Sequence, residues 1–217
     1  MKKKIILTGG SGQDGIILNN LLIKKNYLIY SFLKKKKPLK KFTNTVYLNT
    51  DLSNFTQIND LIEKIKPYAI IHLASKNVSS ENMRSMNYRI HYEENFLMTK
   101  NIVNSIIKNN KKIKFIFSGS SQMFMKKIGI VNENSRFMPD SFYSKYKIDA
   151  HRFILKKKKK YNLNASTAIL FNHDSKYRNK KFLLPRLRNH LFNNQISSIK
   201  KIYQEGIEGD FSHAEDI

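Results

Sequence analysis

At 217 residues the chain holds one sizeable α/β domain and no second full one. It contains no cysteine, which excludes disulfides and thiolate metal sites and fits a reducing, cytoplasmic setting, and it has no apolar stretch long enough to cross a membrane. The 40 Lys plus Arg against 16 Asp plus Glu give a formal charge of +24, which calls for nucleic acid or a nucleotide ligand, or reflects a residue bias whose lysines are mostly solvated.

Met1-Lys2-Lys3-Lys4 opens like a signal peptide, but the glycines from Gly9 to Gly15 interrupt the apolar run behind it. Lys4 to Leu7 instead reads as a strand, followed by glycines at 9, 12 and 15 and a helix from Gln13 to Lys25. A strand that turns sharply into a helix through small residues lets the backbone approach a pyrophosphate, which the free amides and dipole of the new helix attract. The stretch therefore reads as a dinucleotide site.

The second strand, Tyr27 to Leu33, ends in Ser31-Phe32-Leu33-Lys34-Lys35. An acid there would bond a ribose hydroxyl and repel a phosphate, so cations in its place favour NADP over NAD; otherwise Lys34 and Lys35 merely solubilise a loop, Lys34 to Lys41, broken by Pro38. After a strand at Thr45 to Leu48, Asp51-Leu52 offers either a carboxylate for an adenine amino group or a cap for the helix Phe55 to Lys66.

Ala69 to Leu73 is the next strand, with His72 near its end, and Tyr92 to Lys108 the next helix. The strand Lys114 to Ser118 runs into the hydroxyl-rich Ser118-Gly119-Ser120-Ser121, where a parallel sheet presents its carboxyl ends to ligands. In the helix Ser141 to Lys160, Tyr143 and Lys147 stand four apart and share a face, so the cation is expected to favour the phenolate and suit proton transfer at a sugar hydroxyl. A strand at Ser166 to Leu170 completes an alternating pattern that predicts a doubly wound parallel sheet with helices on both faces. The six histidines have no ligand spacing, and no metal is expected. With no helix-turn-helix, zinc pattern or aromatic-interleaved RNA motif, no specific nucleic-acid partner is expected either.

Together the glycine turn, Ser120, Tyr143 and Lys147 resemble the extended short-chain dehydrogenase/reductase family of NAD-dependent epimerases and dehydratases. Reading outward, Thr8-Gly9-Gly10-Ser11-Gly12-Gln13-Asp14-Gly15 is similar to the TGxTGQDG start of the GDP-mannose 4,6-dehydratases, and Leu170-Phe171-Asn172-His173-Asp174-Ser175 to their LFNHES segment. Phe182-Leu183-Leu184-Pro185-Arg186-Leu187 continues in register, and Asp210-Phe211-Ser212-His213-Ala214-Glu215-Asp216 resembles DWGHAKD.

The resemblance implies a Rossmann-type fold, with an NADP-binding domain over residues 1–170 and the start of a sugar-nucleotide subdomain over 171–217, whose remainder is missing. It implies cofactor contacts from Gly9, Gly12, Gln13, Asp14, Gly15, Lys34, Lys35, Asp51, Leu52, Leu73, Ala74, Tyr143 and Lys147. It also implies an internal redox cycle on a GDP-sugar, in which hydride leaves C4 of the mannose, water is lost across C5 and C6, and the hydride returns to C6. Tyr143 would be the base at the C4 hydroxyl, Lys147 would hold the nicotinamide ribose and Ser120 would fill the Ser/Thr position. Ser121, Asn172 and Arg186 would face the substrate. Pairing of two copies through the tyrosine helix is implied by the same analogy.

One departure bears on the chemistry. Where the family carries a glutamate that removes the C5 proton, this chain has Ser120-Ser121-Gln122, and an amide is no general base at neutral pH. Glu133 substitutes only in principle. Three readings stay open at this point: a dehydratase, a 4-reductase or epimerase using the same Tyr143 and Lys147, and a remnant that binds cofactor without turnover.

Overall fold

β-Branched and aromatic runs form strands because they pack well on a pleated, buried surface. The computed structural model describes residues 2–33, 38, 40–76, 88–124, 129–204 and 210–217. In it the runs become β1 (Lys4–Thr8), β2 (Leu28–Leu33), β3 (Thr45–Asn49), β4 (Ala69–His72), β5 (Lys114–Ser118) and β6 (Ala165–Ala168). Every pairing is parallel and the order is β3-β2-β1-β4-β5-β6, a Rossmann-type doubly wound sheet. The winding direction reverses between β1 and β4. A crevice therefore opens beyond Thr8 and His72, at the carboxyl ends of those strands.

Four crossover helices connect these strands: α1 (Gln13–Lys24), α2 (Phe55–Ile65), α3 (Tyr88–Asn109) and α4 (Phe142–Tyr161). Asn54 starts α2, its Oδ1 accepting from the Gln57 amide at 3.1 Å, and Lys66 ends it in the left-handed region at φ 51°. Between those caps Ile58, Ile62 and Ile65 recur at helical spacing and are buried, each contributing about 1.5–3 kcal/mol. In α4 a capping box between Ser141 and Ser144 fixes the first turn, and hence where Tyr143 and Lys147 point.

α2, α3 and α4 pack on one face of the sheet over Ile6, Ile70, Phe115 and Phe117. On the other face Leu18, Leu22 and Ile23 of α1 pack near Ile5, Leu7, Ile29 and Ile71. Helices lie on both faces of the sheet, as the alternating pattern predicts. α1 packs against β1, β2 and β4, and on the same side Lys114 and Ile116 of β5 and Ser166 and Ala168 of β6 are exposed.

β6 also ends at Ala168 and not at the predicted Leu170. The carbonyls of Ala168 and Leu170 accept from the amides of Gly119 and Ser121 at 2.7 and 2.8 Å, in the register in which Asn164 accepts from Phe115, so the chain still follows the β5 side past the end of the strand. α3 starts at Tyr88, four residues before the predicted Tyr92. Beyond Leu170, where periodicity predicts no strand, Asn172–Asp174 forms β7 and pairs in parallel with β8 (Phe211–His213). Between them α5 (Leu183–Phe192) and α6 (Ile196–Gln204) pack on each other and leave Leu191, Phe192, Ile196 and Tyr203 exposed.

Candidate active site

β1 hands over to α1 through Gly9, which sits at φ 75°, where an L side chain is strained and where a Cβ would lie 2.8 Å from the Ala74 nitrogen. At Gly15 a Cβ would lie 2.4 Å from the Gly9 oxygen and 2.5 Å from the Gly10 Cα, both backbone atoms. Gly15→Ala is therefore expected to cost about 1–3 kcal/mol and to lower the thermal midpoint by roughly 2–4 °C per kcal/mol, as measured by thermal unfolding. A midpoint equal to that of the natural chain would show that the turn yields freely. Gly12 differs: apart from chain neighbours, its Cβ would meet only the Gly9 oxygen, at 3.4 Å. Gly12 starts α1 with no side-chain cap, which leaves the first amides of the helix to a ligand, and it lines the crevice.

The strand ends beneath the turn are fixed by a buried histidine. His72 Nδ1 stands 2.7 Å from Thr8 Oγ1 and Nε2 stands 3.1 Å from Thr99 Oγ1, while the Ala74 amide donates to Thr8 Oγ1 at 3.2 Å. Burial, with the charge of Lys147, brings His72 down to about 3. It is neutral at physiological pH and ties β1 and β4 to α3.

Two hollows meet at Gly9, Ser11 and Gly12. One, of about 680 Å³, is lined by Phe32, Leu33, Asp51, Leu52, Leu73, Ala74, Lys76 and Glu94. Asp51 takes up the first of its two sequence readings only by position. The cap of α2 is Asn54, and Asp51 Oδ1 accepts from the amide and hydroxyl of Ser53 at 2.9 and 2.6 Å. Lys76 pairs with Glu94, and Asn95 clamps the Lys76 backbone on both sides. Lys34 and Lys35 lie outside the described residues.

The other hollow, of about 830 Å³, brings together Gln13, Asp14, Ser118, Ser120, Ser121, Gln122, Tyr143, Lys147 and Asn172. Lys147 is 2% exposed; its Nζ donates to the Ser118 carbonyl at 2.6 Å and stands 3.3 Å from Ser118 Oγ. It also lies 4.9 Å from the Phe117 ring centroid and 5.5 Å from that of Tyr143. Burial brings this ammonium down to about 7.

Tyr143 corrects an expectation. Its phenol is pushed up to about 12 by burial, against a hydrogen bond with Ser120, and is not lowered by the lysine one turn on. Desolvation of the phenol is the largest influence on it, and the Lys147 ammonium is turned to the Ser118 carbonyl and hydroxyl. Ser120 Oγ also accepts from the Gln122 amide at 3.2 Å, starting a short 3₁₀ helix, Ser121–Met123, from which the Gln122 side chain is exposed.

Arg186 does not line this hollow. Tyr177, Arg178, Lys180 and Lys181 do, with the Arg178 guanidinium 3.9 Å from the centroid of the Phe182 ring. Sequence reasoning missed them, although the basic run from Lys176 to Lys181 was their signal. It also missed the contact between its own two most specific motifs. His173 Nε2 meets Asp14 Oδ1 at 2.9 Å, Gln13 Nε2 donates to the His173 carbonyl at 3.3 Å, and Ser175 Oγ donates to Gln13 Oε1 at 3.0 Å. Asp14 is the one carboxylate among the described lining residues of this hollow, and Glu133 is exposed outside it. Among the described residues no cluster of metal-ligating side chains occurs, and no helix is long and apolar enough to cross a membrane.

Comparison with known proteins agrees with the fold. The family model described as GDP-mannose 4,6 dehydratase matches residues 6–217. GDP-mannose 4,6 dehydratase 1 of Arabidopsis thaliana is 24% identical over 223 residues, covering 95% of this chain and 62% of that one. GDP-mannose 4,6-dehydratase of Vibrio cholerae is 24% identical over 241 residues, covering 100% and 62%. This chain thus spans less than two thirds of the length of either relative. Among solved structures, the UDP-glucose 4-epimerase of Thermotoga maritima with UDP-glucose superposes with a TM-score of 0.82 at 15% identity, over 98% of this chain and 70% of that one. The dTDP-glucose 4,6-dehydratase of Bacillus anthracis in complex with NAD gives 0.77 at 19% identity, over 99% and 68%.

Proposed function

Because the chain belongs to the GDP-mannose 4,6 dehydratase family, within the extended short-chain dehydrogenases and reductases, we propose that it binds a nicotinamide dinucleotide along the glycine turn and oxidises a GDP-sugar at C4. The observation that carries this reading is the convergence of Ser120, Tyr143 and the buried Lys147 in one hollow with Gly9 and Gly12. Gly12, whose missing Cβ leaves a cradle, and the uncapped start of α1 would hold the pyrophosphate. Leu33, Leu52 and Ala74 would line the adenosine end. Bound there, the dinucleotide supplies a hydride acceptor.

Ser120 and Tyr143 share a hydrogen bond, so a sugar hydroxyl inserted between them would accept from one and donate to the other. Tyr143 would take the proton of the C4 hydroxyl while the C4 hydrogen leaves as hydride to the dinucleotide, and Lys147 would offset the charge that results. Arg178, Lys180 and Lys181 form the cationic wall suited to the substrate diphosphate, with Asn172 beside them. NADP is the cofactor that Lys34 and Lys35 favour, and NAD, held by the Bacillus anthracis relative, is the alternative.

Gln122 favours a second reading at the level of the product. With no carboxylate at that position the C5 proton has no positioned base, so the chain would stop at the 4-keto sugar or work as a 4-reductase or epimerase. Incubation with GDP-mannose and NADP, followed by nicotinamide fluorescence and mass spectrometry, is expected to show reduced cofactor, with loss of one water slow or absent. Tyr143→Phe should abolish the fluorescence. Neither signal from the natural chain would overturn the reading of an active redox site.

A further inference from the structure

His173 uses both ring nitrogens on oxygen. Nδ1 stands 2.6 Å from the Phe171 carbonyl, Nε2 stands 2.9 Å from the Asp14 carboxylate, and a carbonyl can only accept. A neutral imidazole donates once, so this geometry is that of an imidazolium, and the contact is an ion pair with one partner on each side of the hollow. Its setting is consistent. Burial alone would raise Asp14, but the hydrogen bond and charge of His173, with Gln13 and Arg178, hold its carboxyl below the usual value. His173 is raised by the Asp14 hydrogen bond against burial, with the Arg178 charge opposing. Asp14 also faces Lys147 and Tyr143 electrostatically.

The position of Asp14 gives the pair its consequence. It lies in the first turn of α1, in the same hollow as Gly9 and Gly12, where a fixed negative charge would repel an anionic pyrophosphate. Resting on the reading of the glycine turn as a dinucleotide site, we propose that His173 is a charge-compensating positioning residue. As an imidazolium it neutralises Asp14 at the rim of that turn and fastens residues 172–175 to it, so that a dinucleotide meets an ion pair and not a bare carboxylate. Gln13, bonded to the His173 carbonyl and to Ser175, completes the fastening.

The test is dinucleotide affinity of the full chain, followed with NADPH and NADH fluorescence at two ionic strengths. His173→Gln keeps a donor but removes the charge, and is expected to weaken binding about tenfold at low salt, the deficit shrinking as salt screens the carboxylate. D14N combined with H173Q should recover most of the loss, since no charge then needs compensation. Binding by H173Q equal to that of the natural chain, or a loss that D14N leaves untouched, overturns the proposal while the cofactor reading stands. A natural chain that takes up neither dinucleotide overturns the cofactor reading and the proposal with it. The ion pair is also checked without ligand and without an H173Q protein. In ring-resonance titrations His173 should titrate at lower pH in D14N than in the natural chain, and an unchanged midpoint overturns the pairing.

Discussion

Gln122→Glu is expected to speed loss of water from GDP-mannose by about 10²–10⁴-fold, the contribution of a positioned general base. The position is favourable for this. Gln122 lines the hollow beside Ser120 and Tyr143, its side chain is exposed, and its backbone is held by the 3₁₀ turn, so a glutamate would replace it with little rearrangement. Among the described residues no other carboxylate there is free to serve as base, because Asp14 is committed to His173 and Gln13 and Glu133 lies outside. Mass spectrometry of the nucleotide sugar reads the outcome directly, and nicotinamide fluorescence reports the redox half separately. If Q122E loses water no faster than the natural chain while both reduce cofactor, the missing base is not what limits dehydration.

Lys147→Met should abolish redox turnover and at the same time stabilise the fold. A lysine near 7 in the folded chain and about 10.4 unfolded pays for burial on the order of 4 kcal/mol at neutral pH and below, by about 1.4 kcal/mol per unit. Methionine fills a similar volume without that cost but leaves the Ser118 carbonyl without its 2.6 Å partner, a loss of about 1–3 kcal/mol. The net expectation is a gain of about 2 kcal/mol near pH 7, seen in chemical denaturation. The sign of the pH dependence checks the cause. Between about 7 and 10.4 the unfolded chain binds more protons at this site than the folded one, so the natural protein should gain stability as pH rises, and K147M should lack that limb. Equal pH profiles would place the lysine in a wetter environment than its 2% exposure indicates.

The parts of this site that were legible in the sequence are those written in local pattern. Glycines at 9, 12 and 15 behind an apolar run specify a strand, a turn and a helix, and the four-residue spacing of Tyr143 and Lys147 puts them on one face of α4. What was not legible depends on parts of the chain brought together from far apart. The expected lowering of Tyr143 is outweighed by burial of the phenol, and no spacing reports burial. Asp14 and His173 lie 159 residues apart, and only the fold makes one site of two motifs. β6 ends at Ala168 while its hydrogen bonding to the chain after β5 runs on to Leu170, so apolar content marked the extent of the contact better than the end of the strand.

β5 is buried on one side by Phe115 and Phe117 and bare on the other at Lys114 and Ile116. Its last residue, Ser118, anchors Lys147, so the strand answers to the active site at one end and to solvent along one flank. Phe115 and Phe117 are held in place by packing, whereas Lys114 is held by its charge, its Nζ lying 4.9 Å from the Tyr68 ring centroid. A substitution at Phe117 therefore reaches the chemistry through Ser118, whereas one at Lys114 is felt first at Tyr68.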